Sequence, residues 1–152
     1  MKRDWVRLAL GAMALVVSCA AEELFPKTLG VGFPALLAAT AYFAARRPAA
    51  EAVLFALVAG ASEDSLSSLP FATSAAFFAA AALLLGRSRL PIAFAPVAYA
   101  AYQLWLWMWM GSSLDGSVFA RVLAALPVGA AAAAAAVCVL SWADGKGAVD
   151  EA

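Results

Sequence analysis

The chain has no histidine, only two cysteines, and few charges: 13% of its 152 residues are Asp, Glu, Lys or Arg. Soluble domains carry about 25% charged residues, so there is too little polar surface here to cover a water-soluble globule. The missing histidine removes the commonest metal ligand and the usual general base. Ten basic residues balance ten acidic ones, which leaves no basic excess to hold a nucleic-acid backbone. These absences exclude a nucleic-acid partner and argue against a catalytic role. No metal or cofactor is expected. What remains is apolar: 66% hydrophobic residues and a mean hydropathy of +0.90 mark an integral membrane protein.

A crossing helix needs roughly 20 apolar residues. Six segments qualify or nearly so: about 5–21, 29–45, 49–61, 71–86, 92–111 and 122–143. The expected architecture is an all-α, polytopic membrane helix bundle. A single transmembrane domain covers 1–143, and a short cytoplasmic tail covers 144–152. Basic residues favour cytoplasmic loops. With both ends inside, Lys2, Arg3, Arg7, Arg46, Arg47, Arg87, Arg89 and Lys146 all fall on the inner side, and only Lys27 and Arg121 do not. The acids Glu22, Glu23, Glu63, Asp64 and Asp115 fall toward the outer side. Zero net charge thus encodes an orientation, N-in and C-in.

Tryptophan and tyrosine settle at the headgroup level, which makes Trp5, Trp105, Trp107, Trp109 and Trp142 expected interface anchors, with Tyr42 near the inner end of the second segment. Pro34, Pro96 and Pro127 fall inside apolar segments and predict kinks. The apolar stretch that ends in Val16-Val17-Ser18-Cys19 has two readings. It is laid out like a secretory signal with a lipoprotein acylation site at Cys19, or it is an uncleaved first helix. Because five hydrophobic segments follow it, the second reading is the natural one. Cys138 falls too deep in its segment to pair with Cys19, so no disulfide is expected.

The informative stretch is 60–72, Gly-Ala-Ser-Glu-Asp-Ser-Leu-Ser-Ser-Leu-Pro-Phe-Ala. A helix begun at Ala49 carries Asp64 only about 22 Å along its axis, short of a hydrocarbon core about 30 Å thick. Glu63 and Asp64 therefore sit below the outer surface, where ionisable groups are costly and usually face a cavity or a partner. The alternative is a solvated turn in which Asp64 or Ser65 caps local backbone donors. Neighbouring helical residues point about 100° apart, so the two acids do not converge on one reacting group. Glu63, Asp64, Ser67 and Pro70 are the candidate partner- or ligand-binding residues.

Around this stretch the chain resembles the rod shape-determining protein MreD family. Arg47-Pro48, Gly60, Asp64, Ser67 and Pro70 correspond to its pattern of an Arg-Pro turn, a Gly-bearing third segment, an Asp, a Ser and a Pro. Ala72 stands where the family carries Gly, and Glu63 is an additional acid. The resemblance implies a non-catalytic inner-membrane subunit of the cell-shape and peptidoglycan elongation machinery. It would act by contact with an MreC-like periplasmic scaffold, with other elongation-complex subunits and with membrane lipid. A competing expectation is the substrate-binding membrane subunit of an energy-coupling-factor-like vitamin transporter. In that case Glu63, Asp64 and the Trp105–Trp109 cluster would line an outward pocket.

Overall fold

In a computed structural model of the chain, the described residues are 2–29, 33–67, 69–70, 72–87, 92–110 and 116–149. Arg89, Asp115 and the end of the tail at 150–152 lie outside them. So do the side chains of Lys2, Arg3, Arg7, Lys27 and Lys146, on which the orientation argument drew. The fold is all-α. Among the described residues six helices follow one another: α1 (Lys2–Leu29), α2 (Ala35–Arg46), α3 (Ala49–Ser67), α4 (Thr73–Arg87), α5 (Ala95–Met110) and α6 (Gly116–Val149). A single 3₁₀ turn over Ile92–Phe94 leads into α5.

The helices do not coincide with the apolar runs. Among the described residues two stretches, Leu8–Pro26 in α1 and Phe119–Ala143 in α6, are long and apolar enough to cross a membrane. The 12-residue α2 and 15-residue α4 rise only about 18 and 22 Å, less than a hydrocarbon core. Six helices are therefore present, but six crossings do not follow from their lengths. The helix α1 continues past Glu22 and Glu23 to Leu29, and α3 continues through the polar residues after Ala61 to Ser67.

The prolines explain part of the difference. Pro34 precedes α2 and Pro96 stands in the first turn of α5, where the missing N–H is not needed. Neither kinks a helix as expected. Pro127 lies inside α6, and Pro26, expected in a loop, lies inside α1. The extended Arg47 (φ −118°, ψ 158°) before Pro48 ends α2, as the residue ahead of a proline tends to do.

The α2 helix is the axis of the bundle and contacts each of the other five. Its residues from Leu36 to Ala44 are buried on every side, as befits a helix apolar all round. The tightest pairs around it are α3 with α4 and α5 with α6. A Cβ on Gly60 would stand 2.5 Å from the Ala75 amide nitrogen, and one on Gly129 would stand 2.9 Å from the Pro96 Cα. Only glycine permits either approach. The outer surface also carries many large apolar side chains. Leu8, Val16, Leu54, Leu84, Val97, Met108, Phe119, Leu123 and Val139 all point outward.

Candidate functional site

The last turns of α1 and α3, the start of α2 and the middle of α5 line a half-open cavity of about 460 Å³. Helical spacing sets its walls. Glu63, Leu66 and Ser67 occupy one face of α3, while Tyr99, Tyr102, Gln103 and Leu106 occupy one face of α5. From α1 come Glu22, Glu23 and Pro26, from the approach to α2 Phe33, Pro34 and Leu37, and from α4 Phe78.

Glu22 and Glu63 both line this space. Each also has a hydrogen-bond anchor, Glu22 on the start of α2 and Glu63 within α3. Glu22 Oε1 accepts a 2.7 Å bond from the Leu36 amide, an orphan donor in the first turn of α2 that Pro34 cannot cap. Glu22 Oε2 is buried with no donor. Ser67 Oγ donates to Glu63 Oε1 at 3.1 Å. Three acids, Glu22, Glu23 and Glu63, thus line a largely apolar, aromatic-walled space with no lysine or arginine among its described lining residues.

The floor is held rigidly. Tyr102 stacks edge-on to Phe78 at 5.4 Å and packs on Phe77 at 5.1 Å. Its hydroxyl pairs with Ser74 Oγ at 2.6 Å in the interior.

Asp64 turns the other way. It is 3% exposed, and its Oδ1 accepts a 2.7 Å bond from the Ser74 amide at the start of α4. It is not solvated, but it does cap a backbone donor, that of the next helix ten residues on. Pro70 is exposed, and its carbonyl accepts from the Thr73 amide at 3.2 Å within the α3–α4 corner. Of the four candidate residues, Glu63 and Ser67 face the cavity, whereas Asp64 and Pro70 build the corner beside it.

The tryptophans divide as well. Trp105 is half-buried and donates through Nε1 to the Thr73 carbonyl at 3.0 Å, and its ring meets Trp109 at 6.0 Å. Trp107 is half-buried; Trp5, Trp109 and Trp142 are exposed. None of the five lines the cavity. Cys19 and Cys138 are free thiols, Cys19 half-buried in α1 and Cys138 exposed on α6.

Sequence reasoning missed Glu22, Tyr99, Tyr102 and Gln103 as site residues. The signal for the last three was present: Tyr-x-x-Tyr-Gln on one face of an otherwise apolar segment. Among the described residues no three His, Cys, Asp or Glu side chains group as metal ligands would. No family model matches the chain, nor does any curated protein or solved structure.

Proposed function

We propose that this chain is a non-catalytic, multi-pass subunit of the bacterial cytoplasmic membrane that binds a small molecule. It would serve as the substrate-binding membrane subunit of a vitamin-type, energy-coupling-factor-like transporter does. The cavity between α1, α3 and α5 carries this reading. Its volume of about 460 Å³ falls in the ordinary range for small-molecule sites, roughly 300–1,000 Å³. Its walls combine apolar and aromatic side chains with polar groups that could orient a ligand. Membrane placement is supported by the outward apolar side chains and by the two long apolar helices. The basic residues at Arg46, Arg47 and Arg87 support an N-in, C-in orientation. Enclosure of α2 by its neighbours lets a short helix take part in a six-pass bundle without spanning on its own.

The test is thermal unfolding of the purified protein in lipid nanodiscs against a panel of vitamins and metabolites. A ligand at one hundred times its Kd stabilises the folded state by about 2.7 kcal/mol, a readily measured shift. One stabilising chemical class is expected. A flat response across the panel overturns the reading.

A second reading, the elongation-machinery subunit of the MreD kind, draws on the outer face of α6. Ala130, Ala131, Ala134 and Ala135 are exposed there and offer a smooth surface for a partner helix. On that reading the protein co-purifies with an MreC-like coiled-coil scaffold, and depletion rounds the cells. Absence of both effects removes it.

A further inference from the structure

We infer that a groove between α1 and α3 seats one anionic phospholipid, its phosphate held at the Arg46–Arg47 turn and one acyl chain laid along the two helices. This inference rests on the membrane placement proposed above and is independent of the small-molecule reading.

The groove is a second half-open hollow, of about 450 Å³. On α1, Leu8, Gly11, Ala12 and Leu15 line it at the spacing of one helix face. On α3, Glu51, Leu54, Phe55 and Val58 repeat that spacing. Seven residues along each helix give a length of roughly 10 Å. The gap exists because α1 packs mainly on α2 and touches α3 less. A Cβ on Gly11 would meet nothing within 4 Å, so the floor is unfilled. Leu8, Leu54 and Val58 are exposed at the margins, where a membrane presents acyl chains. A helix about 10–12 Å across would need roughly 800–1,200 Å³ over the same length, well above the hollow. A single acyl chain is the narrower occupant.

The polar groups stand at one end. Arg47 lines the groove there with its guanidinium over the Phe43 ring at 5.8 Å, and the Arg46 guanidinium lies over Tyr42 at 5.5 Å. Each guanidinium carries five N–H donors in a fork that fits phosphate oxygens, more than one neighbour uses. The turns of α1 ahead of Leu8 carry Lys2, Arg3 and Arg7 against Asp4. With Arg46 and Arg47 against Glu51, five basic residues stand at this end against two acids. In the N-in orientation it lies at the anionic cytoplasmic leaflet. The acyl chain itself selects little, because it leaves one apolar environment for another. Selection falls to the basic end, which favours a headgroup of net negative charge over one that brings an ammonium to the arginines.

Native mass spectrometry of the purified chain tests this with dioleoyl phosphatidylglycerol and dioleoyl phosphatidylcholine, whose acyl chains are identical. One phosphatidylglycerol should bind at least tenfold more tightly than phosphatidylcholine. Glycerol 3-phosphate, a headgroup without chains, should not bind at the same concentration. Arg47→Gln should cut the preference at least threefold, whereas Arg87→Gln, a charge that does not line the groove, should keep it. Gly11→Leu, which fills the floor, should weaken phosphatidylglycerol binding at least fivefold. Equal affinity for the two lipids overturns the inference, as does an unchanged preference in Arg47→Gln or unchanged binding in Gly11→Leu. Glycerol 3-phosphate binding as tightly as the lipid overturns it too, and so does a lipid-free dimer that Gly11→Leu dissociates. If a carbonate wash strips the protein from vesicles of either lipid, the membrane placement itself falls. The two-lipid comparison uses the unmodified chain and depends on no variant folding.

Discussion

The carboxylate of Asp64 on α3 receives the backbone N–H of Ser74 on α4 at 2.7 Å, and this bond closes the corner between the two helices. Three further bonds complete that corner. The Leu69 amide reaches the Asp64 carbonyl at 3.1 Å, the Thr73 amide reaches the Pro70 carbonyl at 3.2 Å, and the Trp105 indole reaches the Thr73 carbonyl at 3.0 Å. Asp64 is thus a fastening between helices, directed away from the cavity that its neighbour Glu63 lines.

Removing that fastening has a calculable consequence. A hydrogen bond to a charged group contributes about 1.5–3 kcal/mol, and Asp64→Ala also leaves the Ser74 amide buried without an acceptor. We expect a loss of that order in reversible unfolding by sodium dodecyl sulfate. Asp64→Asn keeps an acceptor oxygen and should recover at least half of it. Ligand affinity should stay within about twofold in both variants, because the side chain does not face the cavity.

Ala72 precedes α4 with φ 70°, a left-handed conformation that costs an L-residue roughly 1–2 kcal/mol. Its carbonyl accepts the Ala76 amide at 3.0 Å, so the helix start holds the residue in that conformation. Glycine adopts it freely and loses more chain entropy on folding, so Ala72→Gly should stabilise the protein by about 0.5–1 kcal/mol. Ala72→Val should destabilise it. Both are read from the same unfolding titration.

Helix number was legible in the hydrophobic runs, but helix ends were not. An apolar run marks the residues that face lipid or core; it does not mark where the backbone stops being helical. In α3 the polar residues stay helical because Ser62 and Ser65 bond back to the Val58 and Ala61 carbonyls, each at 2.9 Å. In α2 the run overestimates the helix because Pro34 fixes its start. Asp64 is buried and its neighbour Glu63 only partly so, a difference that helix depth does not distinguish. The partner of Asp64 was not legible either, since nothing local links it to Ser74. That Glu22 and Glu63 line one cavity depends on how α1 crosses α3, and periodicity carries no information on that crossing.

Gly60 and Gly11 make a controlled pair. A Cβ on Gly60 would lie 2.7 Å from the Ser74 carbonyl carbon as well as against the Ala75 backbone, whereas one on Gly11 meets nothing within 4 Å. The obstruction at Gly60 is backbone, so no side-chain rotation relieves it and α3 must move away from α4. Gly60→Ala should cost about 1–3 kcal/mol, the usual range for overpacking. An added Ala75→Gly should not rescue it. Gly11→Ala should be neutral or stabilising by up to about 1 kcal/mol, from helix propensity. Equal costs at the two positions would contradict the close approach.

Tyr102 and Ser74 allow the coupling of the site to the scaffold to be measured. Their hydroxyls are 2.6 Å apart in the interior, and Tyr102 also lines the cavity. Tyr102→Phe preserves the ring packing on Phe77 and Phe78 but leaves Ser74 Oγ alone. Ser74→Ala leaves the tyrosine hydroxyl alone. Each single change should cost about 1–2 kcal/mol, with the double variant little worse than either. Pairs of this kind inside a membrane average about 0.6 kcal/mol of coupling and reach about 1.7. The complete enclosure of this pair argues for the upper part of that range. Because the phenol holds the cavity floor against α4, Tyr102→Phe should also weaken ligand binding severalfold, and Ser74→Ala should do the same although it touches no ligand. If Ser74→Ala lowers stability and leaves affinity unchanged, the floor does not need this bond to keep its shape.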